Sequence, residues 1–176
     1  METKQTYFIS GASGVGKTST MLCLKPILPS KFEVHDFDER GVPNNADHEW
    51  RLKETLYWIN LGKEKSKENI TLVLFGFFNP DELKNIENDF LQTKIGNILL
   101  DGGADIIEQR LRNRNTDSDV KTDLERVVGS AEDFIQNNSK FVPVLRDIFK
   151  KYKYPIIDTS YLNPEAVAEE LAQIIK

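Results

Sequence analysis

A lysine and a hydroxyl stand side by side near the start of this chain, behind a run of glycines. The stretch reads Gly11, Ala12, Ser13, Gly14, Val15, Gly16, Lys17, Thr18, Ser19, a G-x-x-x-x-G-K-T spacing. Glycines let the backbone turn tightly and bring its N–H groups close to phosphate oxygens. A helix beginning near Gly16 adds unpaired N–H groups and a positive dipole end. Lys17 can set its ammonium against β- and γ-phosphates, and the Thr18 hydroxyl can ligate Mg²⁺. Residues 11–19 are therefore candidate ATP-binding residues, with Thr18 as the expected metal ligand.

A second group of chemistry-bearing side chains lies in "HDFDERGVP", which holds Asp36, Asp38, Glu39 and Arg40. Phosphoryl transfer asks a protein for positioning, charge neutralisation and a handle on the acceptor hydroxyl. Asp36 can orient or deprotonate that hydroxyl, or hold Mg²⁺ through water, and Asp38 can exchange roles with it. Either acid could equally be a turn residue. Arg40 and Arg51 flank the acidic turn and suit an anionic acceptor or an ordinary surface. Arg110 and Arg114 are four apart, so one helix face carries both, and planar guanidinium groups match delocalised phosphate charge. Arg112 points elsewhere, and Arg126 reads as a solvated charge. Trp50 reads as core. His35 and His48 lack metal-ligand spacing.

The elements that must position these residues follow from periodicity. Thr6 to Ser10 is a short strand leading into the glycine loop, and a helix follows from Gly16, ended or kinked at Pro26. Strands are expected at Lys31 to Asp36, Ile70 to Phe78, "IGNILLD" ending at Asp101, and Tyr154 to Asp158. Helices are expected at Asp47 to about Lys67, Asn79 to about Leu91, Ala104 to Arg114, Asp123 to Gln136, roughly Lys140 to Tyr152, and from Asn163 to Lys176. Strands alternating with helices imply an α/β domain with a five-stranded parallel sheet covered on both faces. Ligands in such sheets bind at the carboxyl ends of the strands. The glycine loop, Asp36, residues 76–79, Asp101 and Asp158 should then face one edge.

The bulk numbers agree with one soluble domain. There are 176 residues with a net charge of −5, so nothing global attracts nucleic acid or anionic membrane. The basic stretch Lys140 to Lys153 reads as a solvated helix end. Cys23 is the only cysteine, so no internal disulfide forms. The polar start reads as neither a signal nor a transit peptide, and no apolar run reaches bilayer length. A cytoplasmic location is the default expectation, and oligomeric state stays open.

The strand before "GASGVGKTS" and the helix after it satisfy the context a P-loop requires. No N-K-x-D guanine motif appears, and the third strand, "TLVLFGFF", ends without the acid of a typical ATPase. With the acids after the second strand, "ILLDGGADIIEQRLRNR", and "PIIDTS" leading to "NPEAVAEELAQII", the chain resembles the small P-loop kinases along essentially its whole length. That group includes nucleoside monophosphate kinases, shikimate and gluconate kinases, and chloramphenicol phosphotransferase. "HDFDERGVP…HEWR" is also similar to bacterial proteins labelled as AAA-family ATPases or kinase-like. The resemblance implies a single domain over residues 1–176 with a three-layer P-loop NTPase fold. It also implies a small helical lid at about residues 110–140 carrying Arg110 and Arg114, with backbone of Asp158, Thr159 and Ser160 lining the adenine. It implies an ATP- and Mg²⁺-dependent phosphotransferase acting on a small-molecule or nucleotide acceptor, though no nucleobase-reading motif is visible. A nucleotide-binding regulatory module and a P-loop hydrolase or nucleic-acid end kinase are the rival readings.

Overall fold

In the computed structural model, the described residues are 5–43, 46–83, 94–116 and 129–175. Five strands form one all-parallel sheet in the order β2-β3-β1-β4-β5. They are β1 (Thr6–Ser10), β2 (Phe32–Asp36), β3 (Thr71–Gly76), β4 (Ile95–Asp101) and β5 (Ile156–Asp158). The helices are α1 (Lys17–Leu24), α2 (His48–Ser66), α3 (Pro80–Leu83), α4 (Ala104–Arg114), α5 (Ala131–Lys151) and α6 (Pro164–Ile175). The single-sheet α/β expectation therefore holds.

Alternation along the strands sorts the core into two layers. Val73 and Phe75 of β3, with Ile9, Ile98 and Leu100, face a layer that includes Leu24 of α1, Ile107 of α4 and Leu171 of α6. Leu72 and Leu74, with Phe8, face Trp58 and Ile59 of α2. On that second side Leu99 of β4 packs against Leu145 and Phe149 of α5. These near-continuous apolar runs are what a strand covered on both faces requires.

Helix ends follow local chemistry. Asp47 caps α2 by accepting from the Trp50 N–H at 2.8 Å, and Asn163 caps α6 by accepting from Ala166. The α-helical part of α1 stops at Leu24, and a tighter turn over Lys25–Ile27 carries Pro26. One expectation is corrected. Sequence periodicity predicts two helices, Asp123 to Gln136 and roughly Lys140 to Tyr152, whereas among the described residues Ala131–Lys151 is one helix with Pro143 inside it. Ile135, Ser139, Val142, Leu145 and Phe149 recur at three and four residues as one buried stripe, and that burial carries the helix through the polar Asn137 and Asn138. The flanks of the expected lid lie in α4 and α5, while residues 117–128 and Arg126 are outside the described residues, as is the predicted end of α3 near Leu91.

Candidate active site

β1 is the middle strand: the chain leaving it crosses to β2 on one side, while the chain leaving its neighbour β4 continues to β5 on the other. Such a divergence opens a crevice at the strands' carboxyl ends. A cleft of about 650 Å³ lies there, and its walls include Gly14, Lys17, Thr18, Asp36, Asp38 and Arg110. Sequence positions up to about 150 residues apart are thus brought to one edge.

The glycine loop is folded tightly on itself. Gly14 and Gly16 have φ of 83° and 103°, a region that L side chains rarely occupy. Lys17 Nζ donates to the carbonyls of Gly11 (2.7 Å) and Ala12 (3.0 Å). Burial pushes its pKa down to about 8, against the opposing pull of Asp36 and Asp38. The two carboxylates therefore sense the same ammonium. Thr18 and Ser19 are exposed at the start of α1.

The acids owe their placement to the residue between them. Phe37 extends the β2 ladder by one hydrogen bond, its N–H donating to the Phe75 carbonyl at 2.8 Å. Its ring is buried against Phe78 and Trp50 in edge-to-face contacts, and its carbonyl accepts from Trp58 Nε1 at 3.3 Å. With Phe37 turned inward, residues on either side face the opposite way. Both acids line the cleft. Asp36 Oδ1 accepts from the Asp38 N–H at 2.9 Å. Asp38 is pushed above the usual carboxylate range by burial and by Asp36, with Lys17 pulling the other way. Gly76 makes the arrangement possible, because a Cβ there would lie 2.7 Å from Phe37 Cβ.

A smaller recess of about 210 Å³ adjoins Asp38 and is walled by Phe37, Ala46, Asp47, Trp50, Arg51 and Phe77. Phe77 and Asp38 belong to both spaces. Arg51 lies 5.5 Å from the Phe77 ring centre, and its buried Nε has no hydrogen-bond partner among the described residues. Trp50, read from sequence as core, is only partly buried and forms one wall. Arg40 is turned away from both spaces. It meets both oxygens of Glu54 at 3.0 and 3.1 Å and stacks 3.5 Å over Tyr57.

The two arginines of α4 part company. Arg110 lines the cleft but is engaged on the protein's own carbonyls: Thr159 at 2.8 Å, Ser160 at 3.2 Å and Val15 at 3.5 Å. Arg114 also lines the cleft, is exposed, and makes no hydrogen bond or ion pair among the described residues. Arg112 does point elsewhere, to Glu108 and Glu132. Thr159 is buried, and its hydroxyl bonds the Val15 and Asp101 carbonyls, each at 2.9 Å. The Ser160 N–H donates to Asp158 at 2.8 Å, and hydrogen bonding from the Ser160 hydroxyl, then from its N–H, keeps the Asp158 carboxyl below the usual range. Sequence spacing carries no signal for the Thr159 hydroxyl, or for Arg146, whose Nε donates to Asp101 from α5.

The donor set suits the expected group. The Thr18 hydroxyl and the Asp36 and Asp38 carboxylates are hard oxygens, the kind Mg²⁺ takes. Loop N–H groups, a helix N-terminus and Lys17 suit a polyphosphate.

No family model and no curated protein matches the chain in sequence. Solved structures do match in shape. One is a shikimate kinase from Acinetobacter baumannii in complex with shikimate, with TM-score 0.58 and 18% identity over 99% of this chain and 94% of that one. Another is a sugar kinase from a Janibacter species, with TM-score 0.61 and 16% identity over 98% of this chain and 94% of that one. At these identities the likeness is one of fold, and no helix of the described residues is long and apolar enough to cross a membrane.

Proposed function

From this fold, which is that of small P-loop kinases, we propose that the chain is an ATP-dependent phosphotransferase acting on the hydroxyl of a small acceptor. The observation that carries this reading is the shared cleft: loop and acids line one space, and Lys17 is electrostatically coupled to both Asp36 and Asp38. Of the two carboxylates opposite the lysine, one suits Mg²⁺ and the other leaves a base free for an acceptor hydroxyl.

Roles divide by position. Residues 11–19 hold the polyphosphate, with Lys17 countering its charge and Thr18 and Asp36 offering oxygens to Mg²⁺. ATP with Mg²⁺ supplies the transferable phosphoryl group and neutralises its charge. Asp38, which borders the recess and has a raised pKa, orients the acceptor hydroxyl and takes up its proton. Arg51 offers the acceptor's anionic group a guanidinium, and Phe37, Trp50 and Phe77 give a flat apolar body something to pack on. Arg114 is the exposed cation best placed to meet the phosphates. Arg110, already spent on carbonyls, shapes the loop and the β5–α6 connection.

A second reading, a nucleotide-binding module that turns over slowly or not at all, draws on the end of β3. There Phe77 and Phe78 stand where an ATPase keeps an acid.

One screen separates the two. Purified protein is given Mg·ATP with hydroxylated carboxylic acids, sugars and sugar acids, nucleosides and nucleotides, and antibiotics, and ADP release is followed. Acceptor-dependent ADP release is expected, strongest with small anionic hydroxyl compounds. Tight ATP binding with no acceptor-dependent release from any class would move the assignment to the second reading.

A further inference from the structure

Asn138 lies on α5, far along the chain from the glycine loop, yet its amide pairs with both polar groups of one loop residue. The Ser13 N–H donates to Asn138 Oδ1 at 3.0 Å, and Asn138 Nδ2 donates to the Ser13 carbonyl at 2.9 Å. We propose that Asn138 is a positioning residue for phosphate binding, holding the Ser13–Gly14 peptide so that the Gly14 N–H faces the cleft. The inference rests on the phosphate-binding reading of the loop.

In a trans peptide the C=O and the following N–H point in opposite directions. Fixing the Ser13 oxygen on α5 therefore turns the Gly14 N–H away from α5, and Gly14 lines the cleft. Something must hold that peptide. Gly14 sits at φ 83°, and glycine crosses between signs of φ at little cost. A flip of this one peptide would swap a donor for a carbonyl oxygen and aim it at an anion.

The loop's other ties do not reach it. Lys17 engages the Gly11 and Ala12 carbonyls, and Thr159 engages the Val15 carbonyl. Among the described residues, the Ser13 carbonyl is held by Asn138 alone. The amide is also presented from a fixed base. Arg146, on the same helix, donates to Asp101 and to the Gly102 carbonyl, and Glu132 near its start is paired with Arg112. The helix thus carries one residue that reads the loop's backbone, with its buried stripe anchoring it to the core.

The test uses full-length protein with Asn138→Ala and Asn138→Leu, the second nearly matched in size. Binding of ADP, pyrophosphate and adenosine is measured by calorimetry and competition, with thermal melting alongside. Loss of the peptide lock predicts about tenfold weaker binding of ADP and of pyrophosphate. Adenosine affinity should be unchanged, and melting should stay within about 3 °C of wild type. Wild-type ADP affinity in both variants overturns the proposal, as does an equal loss for adenosine, which would mark general loosening. If the leucine variant does not fold, the alanine variant decides. A wild-type protein that binds neither ADP nor pyrophosphate would overturn the phosphate reading of the loop, and this role with it.

Discussion

The glycine loop at residues 11–19 and the acidic turn at residues 36–40 face each other across one cleft, but they are held by different physics. The loop is fixed through its backbone. Lys17, Asn138, Thr159 and Arg110 bond its carbonyls from four points in the sequence. The turn is centred on an aromatic peg, Phe37, packed with residues of β3 and α2, while side chains tie its flanks, Arg40 to Glu54 and Glu39 to the Asp36 N–H. Binding a polyphosphate depends on where N–H groups point, so the loop's peptides must not rotate. On the proposed reading, the choice of acceptor depends on which side chains flank the peg, and those can change while the peg stays.

The comparison can be broken most decisively at the loop. Lys17→Ala should lower phosphotransfer by about a thousandfold or more, the scale of removing a principal charge-stabilising group, while melting is preserved or improved. A variant that kept most of its activity would end the loop's role as donor site. On the other side, Asp38→Asn should lower kcat by about a hundredfold or more with little change in the KM for ATP. Asp36→Asn should instead make turnover demand more Mg²⁺. The reverse pattern in steady-state assays would exchange the two roles.

Arg51→Met keeps the length of the side chain and removes its charge. It should raise the acceptor KM by roughly tenfold to a hundredfold and leave ADP binding untouched. A change in ADP binding instead would erase the boundary between the two halves.

The smallest effect is set by pH. Lys17 in the ligand-free protein loses its proton near pH 8, so ADP affinity should be flat below that value. It should decline by up to about tenfold per pH unit above it, as binding comes to require proton uptake. Stability runs the other way. A lysine whose folded pKa is depressed costs stability below pH 8, and that cost is relieved as pH rises from 8 towards 10.5. Asp38→Asn removes one of the charges that hold the lysine's pKa up, so the midpoint of the ADP profile should shift to lower pH.

The contrast also explains what could be read from the sequence. Phosphate binding by backbone needs glycines at set offsets and a lysine beside a hydroxyl, so residues 11–19 are legible as letters. The strands were legible for a similar reason: burial on both faces leaves continuous apolar runs such as Thr71–Gly76. Asn138 was not legible, because an amide that pairs with a peptide group can come from any element the fold brings near. Arg40 shows the opposite hazard. It sits beside the acidic turn in sequence, yet Glu54 and Tyr57 take its guanidinium. The unbroken α5 was missed because a stripe at positions 135, 139, 142, 145 and 149 is interrupted to the eye by Asn137 and Asn138, which lie off the stripe.

The strand order has a metric consequence. The loop follows β1 and the acids follow β2, with β3 between them. Neighbouring strands lie about 4.8 Å apart, so the two halves are mounted roughly 9.6 Å from each other across the sheet. Between them lies the end of β3 at Gly76, a cleft residue with no side chain to obstruct the gap. The separation of the loop and the acids is thus set by interstrand hydrogen bonds, a spacing fixed by the sheet itself.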